Sequence, residues 1–195
     1  MSFIRLWVTG YLHPGRAFEA LREKPAPLWG LVAVLLRGGV LALLWFLPRA
    51  RMGLQPSMPS GLAAIPTETY YWSSLWLFPV FELAKWLLLG AVAHLILRLA
   101  GKPNDYDAIL NVTGVAAIII EPVLLAWDWI AFAAGWGESA VFMGLSHAVI
   151  AWPWGLALAA IGFKKVLGLP ARITVPLMLL IDLLFLPLAA TFLRS

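Results

Sequence analysis

Five long apolar stretches, joined by short polar turns, confine this chain to folds that can exist within a lipid bilayer. A membrane-spanning helix needs roughly 20 mostly apolar residues. Of the 195 residues, 62% are hydrophobic and only 12% are charged, whereas a soluble domain is about half apolar and about one-quarter charged. Apolar runs of this length cross a bilayer as helices, because a helix satisfies its backbone hydrogen bonds internally. We therefore predict an all-α polytopic membrane protein with five transmembrane helices.

Prolines, glycines and polar turns set the expected limits of these helices. We predict spans at 28–47, 72–100, 107–132, 139–163 and 173–193. Pro48 is expected to stop the first span, and Asp105 is a candidate cap for the third. The other four spans are expected to be interrupted or kinked by prolines at positions 79, 122, 153, 176 and 187.

The connection between the first two spans, residues 48–71, has four prolines with Ser, Thr and Gly between them. This composition predicts an irregular loop, with a short surface turn at 62–65. The aromatic residues that follow are typical of a belt at the membrane interface. They are Tyr70, Tyr71, Trp72 and Trp76.

The segment before the first span has a different pattern. His13-Pro14-Gly15 should break it, and Ala17, Phe18 and Leu21 then share one face of residues 16–24, with charged residues elsewhere. Such spacing predicts a short amphipathic helix lying on the membrane surface. We therefore divide the chain into an amino-terminal surface segment and a five-span transmembrane domain, residues 1–24 and 25–195.

The basic residues indicate an orientation in the membrane. With the amino end inside, nine Lys and Arg residues lie on the cytoplasmic side: Arg5, Arg16, Arg22, Lys24, Arg98, Lys102, Lys164, Lys165 and Arg172. Only three, Arg49, Arg51 and Arg194, lie on the other side. Positive residues favour the cytoplasm, so we expect a prokaryotic inner-membrane protein with its carboxyl end outside. Topology thus accounts for the net charge of +4, and no nucleic-acid partner is expected.

Seven ionisable side chains fall inside the apolar stretches, most of them near the middle: Arg37, Glu82, Lys85, Glu121, Asp128, His147 and Asp182. Charges at that depth are costly, so these residues should face protein or water and not lipid. Glu82 and Lys85 can pair within one helix, because they are three residues apart. Arg37 is expected to pair with a carboxylate of a neighbouring span, Glu121 and Asp182 being nearest in depth.

The charges of this layer do not balance. With His147 neutral, two positive groups face four negative ones, and two carboxylates are left without a basic partner. These carboxylates would carry a proton, or be held by water or a cation, which suggests a proton or cation relay. The alternative is a buried polar network that fixes helix packing. Glu121 and Asp128, seven residues apart, share one helix face, and Glu121, next to Pro122, is the expected pivot of any transport.

Several chemistries lack support in the sequence. There is no cysteine, and there is no His-x-x-x-His or Glu-x-x-His pair for a metal. Ser146 and His147 are adjacent, so on a helix their side chains diverge by about 100°. No glycine-rich phosphate loop is present. We expect no catalytic residue, no metal and no cofactor.

Four stretches in order along the chain carry a family resemblance. They are His13 to Leu21 ahead of a proline, Leu97 to Lys102, the proline at 122, and Trp154 to Pro170. In these stretches the chain resembles the Yip family, five-span membrane proteins named for interaction with Ypt/Rab GTPases. In eukaryotic relatives the resemblance implies trafficking roles and a long cytoplasmic amino-terminal region. That region is nearly missing here, so we expect a prokaryotic-type member and no Rab-type GTPase partner.

The resemblance and the exclusions together predict a non-enzymatic integral membrane scaffold or accessory subunit. Its expected partners are the lipid bilayer and other membrane subunits or a second copy of itself. The alternative is a small proton- or cation-coupled transporter that uses the mid-membrane carboxylates. A water-filled cavity that reaches Glu121 would favour transport, and a long apolar face in contact with another subunit would favour the scaffold.

Overall fold

The computed structural model describes residues 2–23, 27–56, 65–137 and 139–192, and all regular structure in these ranges is helical. The prediction of an all-α fold is confirmed for them. The α-helices are α1 (Phe3–Leu12), α2 (Pro14–Arg22), α3 (Leu28–Leu41), α4 (Leu47–Arg51), α5 (Tyr70–Leu99), α6 (Tyr106–Ala133), α7 (Ala140–Leu167) and α8 (Ala171–Phe192). A π-helical segment, Ala42–Phe46, joins α3 to α4, and a 3-10 turn, Thr67–Thr69, precedes α5.

Four helical segments in the described ranges are long and apolar enough to cross a membrane: Leu28–Arg51, Thr67–Leu99, Tyr106–Ala133 and Val141–Leu167. The helix predicted at 173–193 is present as α8, with 22 residues, but its role as a fifth span remains a prediction. In the most apolar stretch of α6, 72% of the residues are buried, against 39% or less in the other three segments. Helix α6 is therefore the centre of the fold.

The helices around α6 alternate in direction. Both Gly30 and Gly114 lie in the first half of their helices and approach each other, so α3 runs parallel to α6. In α7, Gly155 lies near Ile120, and Gly162, farther along, lies near Val112, so α7 is antiparallel to α6. The helix midpoints consequently lie at similar heights. The expected cap of α6 is confirmed, because the Asp105 side chain accepts a hydrogen bond from the Ala108 N–H at 3.0 Å.

The closest helix contact in this arrangement lies between α3 and α6. A Cβ added to Gly114 would meet the carbonyl oxygen of Gly30 at 2.6 Å and its Cα at 2.7 Å. Beside this contact, the N–H of Gly30 donates to Oδ1 of Asn111 at 2.9 Å. Small residues let membrane helices approach closely enough for backbone packing, and here they press α3 against the central helix.

The predictions that Pro48 stops the first span and that prolines interrupt the other spans are wrong, whereas a kink at a proline remains a prediction. The first span continues past Pro48 to Arg51 and includes the π-helical segment Ala42–Phe46. Helices α5 to α7 run through Pro79, Pro122 and Pro153, and α8 also contains its two prolines. A proline inside a helix frees the carbonyl four residues earlier, so continuity requires that the surroundings satisfy that oxygen.

Two tryptophans satisfy such carbonyls. The carbonyl of Leu44, four residues before Pro48, accepts a hydrogen bond from Nε1 of Trp129 at 2.9 Å. The carbonyl of Ile118, four residues before Pro122, accepts one from Nε1 of Trp7 at 3.0 Å. Each bond also links two helices, α6 to the π-helical segment and α1 to α6.

The loop predicted at 48–71 is shorter than expected, since its first residues belong to α4 and its last to the 3-10 turn and α5. The turn predicted at 62–65 lies outside the described residues except for Ile65, a bend. Trp72 and Trp76 are exposed, as an interfacial belt requires, but Tyr70 and Tyr71 are only 3% exposed. Their assignment to the belt is wrong, because both pack with Phe46 inside the protein.

The two amino-terminal helices, α1 and α2, pack against α6 and α7. His13 separates α1 from α2, as predicted. The apolar face of α2 is buried in the protein, where Phe18 would touch any side chain added to Gly162. That face is therefore not presented to a membrane, and a surface location of α2 remains a prediction.

One ion pair fixes the outer side of α2. Lys165 donates to Glu19, and this hydrogen bond holds the pKa of Glu19 below its ordinary value. The pairing therefore contributes at neutral pH and is lost as the pH falls through the lowered pKa.

Candidate functional site

Arg37 joins three helices at mid-height through two carboxylates. Its Nε donates to Oε2 of Glu121 on α6 at 2.6 Å, and its Nη1 donates to Oε2 of Glu82 on α5. Lys85, one turn along α5, donates to the other oxygen of Glu82. Two predicted contacts are thereby confirmed, Arg37 with a carboxylate of another helix and Glu82 with Lys85. We call these four residues the paired network.

A glycine next to Arg37 makes the contact between α3 and α5 possible. A Cβ added to Gly38 would lie 3.0 Å from Cα of Pro79, so a larger residue there would push the helices apart. Pro79 precedes Glu82 by three residues, which places the carboxylate on the same side of α5. The close approach brings Glu82 within reach of the guanidinium, a partner that the sequence analysis did not foresee.

The paired network is electrically balanced. Two cations face two carboxylates, and both carboxylate side chains are at most 4% exposed. A buried ion pair gains little net stability, yet removing one partner leaves an uncompensated charge at high cost. The network therefore has the properties of a structural junction that holds α3, α5 and α6 together.

Asp128 and His147 form a second contact, near the carboxyl end of α6. His147 Nε2 lies 2.8 Å from Oδ1 of Asp128, which connects α6 to α7. No donor in the described ranges points at that oxygen in hydrogen-bonding geometry. The contact is therefore short but not an aligned hydrogen bond, and it is an ion pair when His147 is protonated.

A cavity adjoins the paired network, and residues of α3, α5, α6, α7 and α8 line it. Its volume is about 340 Å³, and its wall is mostly apolar. Four charged side chains line it: Arg37, Lys85, Glu121 and Asp182. Each belongs to the middle of its helical segment, so the cavity lies at mid-height among α3, α5, α6, α7 and α8.

Asp182 differs from the other three charged residues of the cavity, each of which forms an ion pair. It lies near the middle of α8, on the cavity wall. In the part of the chain that the structure describes, its carboxylate has no hydrogen bond and no ion pair. The expectation that Asp182 is one of the candidates to pair with Arg37 is therefore not met, since Arg37 pairs with Glu82 and Glu121 instead.

Comparison with known families identifies the chain. A family model described as the Yip1 domain matches residues 9–193. The chain belongs to the Yip1 domain family. The Yip resemblance is thus confirmed over nearly the whole sequence, and the apolar helices of this Yip1-domain chain form an integral membrane protein. No curated protein and no solved structure matches it.

One buried charge of this Yip1-domain protein was assigned to the wrong environment from sequence. Arg49, counted above as a loop charge, is only 4% exposed. Its guanidinium carbon lies 3.6 Å from the ring centroid of Trp45, and its Nη1 donates to the Tyr71 hydroxyl at 2.9 Å. The four-residue spacing of Trp45 and Arg49 is the only sequence signal for this stack.

Proposed function

We propose that this Yip1-domain protein is a small proton- or cation-coupled transporter that works through the mid-membrane cavity. The observation that supports this function is the cavity itself, which reaches Glu121 and is lined by three further charged side chains. Transport sites commonly lie near the bilayer midplane. Ionisable residues inside membrane segments mark ion and proton pathways.

The charged residues have different roles in this proposal. The paired network keeps the cavity wall in place, because each of its carboxylates already faces a cation. Asp182 exchanges the proton or cation, since a carboxylate without an ion pair at this depth is costly and its occupation lowers that cost. Glu121, the pivot expected from sequence, would act only if its contact with Arg37 opened.

The scaffold hypothesis makes a different forecast. A scaffold needs the polar layer only for packing, and its function would depend on apolar surfaces that meet another membrane subunit or a second copy. In both hypotheses the chain is non-enzymatic and lies in the inner membrane with its amino end in the cytoplasm. They differ in whether the cavity carries anything across.

Flux through reconstituted vesicles decides between them. The purified protein is placed in vesicles, and proton, Na⁺ and K⁺ movement is followed under an imposed gradient, with protein-free vesicles as the control. Transport predicts flux in the wild type. Glu121→Gln should reduce this flux by loosening the junction without abolishing it. Absence of flux in the wild type would reject transport and leave the scaffold.

A further inference from the structure

The two cavity cations retain unused hydrogen-bond donors. A guanidinium carries five N–H groups and an ammonium three, whereas Arg37 uses one donor on each of two nitrogens and Lys85 uses one. Their side chains are 20% and 25% exposed, and both line the cavity. One part of the wall can therefore still bind an anionic group.

Another part of the cavity wall is acidic. Asp182 presents its carboxylate to the cavity with no donor from the described residues, and Trp152 and Phe185 also line the cavity. A cavity that offers both a carboxylate and aromatic rings is a favourable environment for an ammonium group, since ionic hydrogen bonds and cation–π attraction both bind cations.

The remaining wall limits the size and polarity of the ligand. About 340 Å³ lies near the lower end of the range of small-molecule sites, about 300–1,000 Å³. The other lining residues are apolar except Thr113, so the space between the two charged parts favours a short hydrocarbon chain. A divalent anion or a bare metal ion would leave one of the two parts unmatched.

From this arrangement we infer that the cavity binds a small zwitterion, a molecule with one primary ammonium and one anionic group. Asp182 receives the ammonium, and Lys85 with Arg37 receives the anionic group. The inference rests on the proposed function, because it names the substrate class of the same cavity. The ammonium and the coupling proton or cation would use one carboxylate, which links their movements.

Three probes of equal chain length test the charge requirement. β-Alanine carries both charges, propylamine only the cation, and propionate only the anion. Calorimetry on the purified protein should show β-alanine binding at least about tenfold more tightly than either single-charge probe, because each loses hydrogen bonds to a charged group. Equal affinity for β-alanine and propylamine would overturn the inference, and so would no binding of β-alanine together with no stabilisation by phosphatidylethanolamine.

Matched variants locate the binding. Asp182→Asn should weaken β-alanine binding by about tenfold or more. Asp128→Asn makes the same chemical change outside the cavity and should leave the affinity unchanged. An equal loss in both variants would contradict a site at Asp182.

The same chemistry could come from a lipid headgroup, so the last arm compares bilayers. Phosphatidylglycerol nanodiscs with and without phosphatidylethanolamine should give equal unfolding midpoints if the ligand is soluble. Stabilisation by phosphatidylethanolamine, lost in Asp182→Asn and without a response to β-alanine, would assign the site to the lipid. Ion flux without either response would overturn the zwitterion site but leave transport standing. Binding of β-alanine without ion flux would support the zwitterion site and reject transport.

Discussion

The charges around Arg37 and the charge at Asp182 lie on the same cavity, yet their surroundings differ completely. In the paired network every charge contacts an opposite one, and both carboxylates are buried between helices. Asp182 stands on the cavity wall without a partner among the described residues. Charges that are held in ion pairs suit a structural junction, whereas a carboxylate without an ion pair is available to a ligand. We therefore expect substitutions in the paired network to lower stability first, and substitution of Asp182 to affect function with little change in stability.

The largest effect should follow the loss of the central cation. Arg37→Leu leaves Glu121 without a cation and Glu82 with Lys85 alone, so the free energy of unfolding should fall by about 3–5 kcal/mol. Denaturation in mixed micelles measures this change. Arg51→Leu, a change of the same kind at an exposed position of α4, serves as the control. A loss no greater than in the control would show that the network does not hold the helices.

The next largest effect concerns the contact that presses α3 on α6. Gly114→Ala places a methyl group against the backbone of Gly30, and such overpacking should cost about 1–3 kcal/mol. Gly144→Ala on α7 is the matched control, because its Cβ would meet nothing within 4 Å. It should be neutral or slightly stabilising. Equal effects of the two substitutions on the unfolding midpoint would contradict the close packing.

A smaller effect is expected where tryptophans bind the carbonyls freed by proline. Trp129→Phe and Trp7→Phe keep most of the apolar surface but remove the indole N–H, which should cost about 1 kcal/mol each. Trp76→Phe, at a side chain that is 79% exposed, gives the baseline. Equal unfolding midpoints of all three variants would show that the indole hydrogen bonds to the freed carbonyls do not stabilise the fold.

The smallest effect on stability should come from the unpaired carboxylate. Asp182→Asn removes no contact that the described residues make, so its free energy of unfolding should stay within about 0.5 kcal/mol of the wild type. Chemical denaturation under the conditions used for Arg37→Leu measures it. A loss of stability as large as that of Arg37→Leu would show that Asp182, like the paired network, holds the helices together.

Local spacing determined how much of this arrangement was predictable. Glu82 and Lys85 pair as expected, because a helix fixes the geometry of residues three apart. The second partner of Arg37 depends on how closely Gly38 approaches Pro79, a distance between helices that sequence spacing does not contain. The position of each charge within its apolar stretch indicated its depth in the membrane, but not its partner in another helix.

The errors have a common physical origin. Aromatic residues near a helix end suit both a membrane interface and a core, so Tyr70 and Tyr71 were misplaced. Pro48 was expected to end a helix because its own segment cannot satisfy the freed carbonyl. A tryptophan 81 positions farther along the chain, Trp129, binds that oxygen. Long-range partners of this kind decide where the helices end.

The most direct test of the division between the two regions is ion flux through vesicles that contain Asp182→Asn. Proton and cation movement is compared with that of the wild type and of Asp128→Asn, after the fold of each variant has been verified by its unfolding midpoint. The account predicts that Asp182→Asn keeps the wild-type midpoint but loses the flux, while Asp128→Asn retains it. Wild-type flux in a folded Asp182→Asn protein would contradict the account.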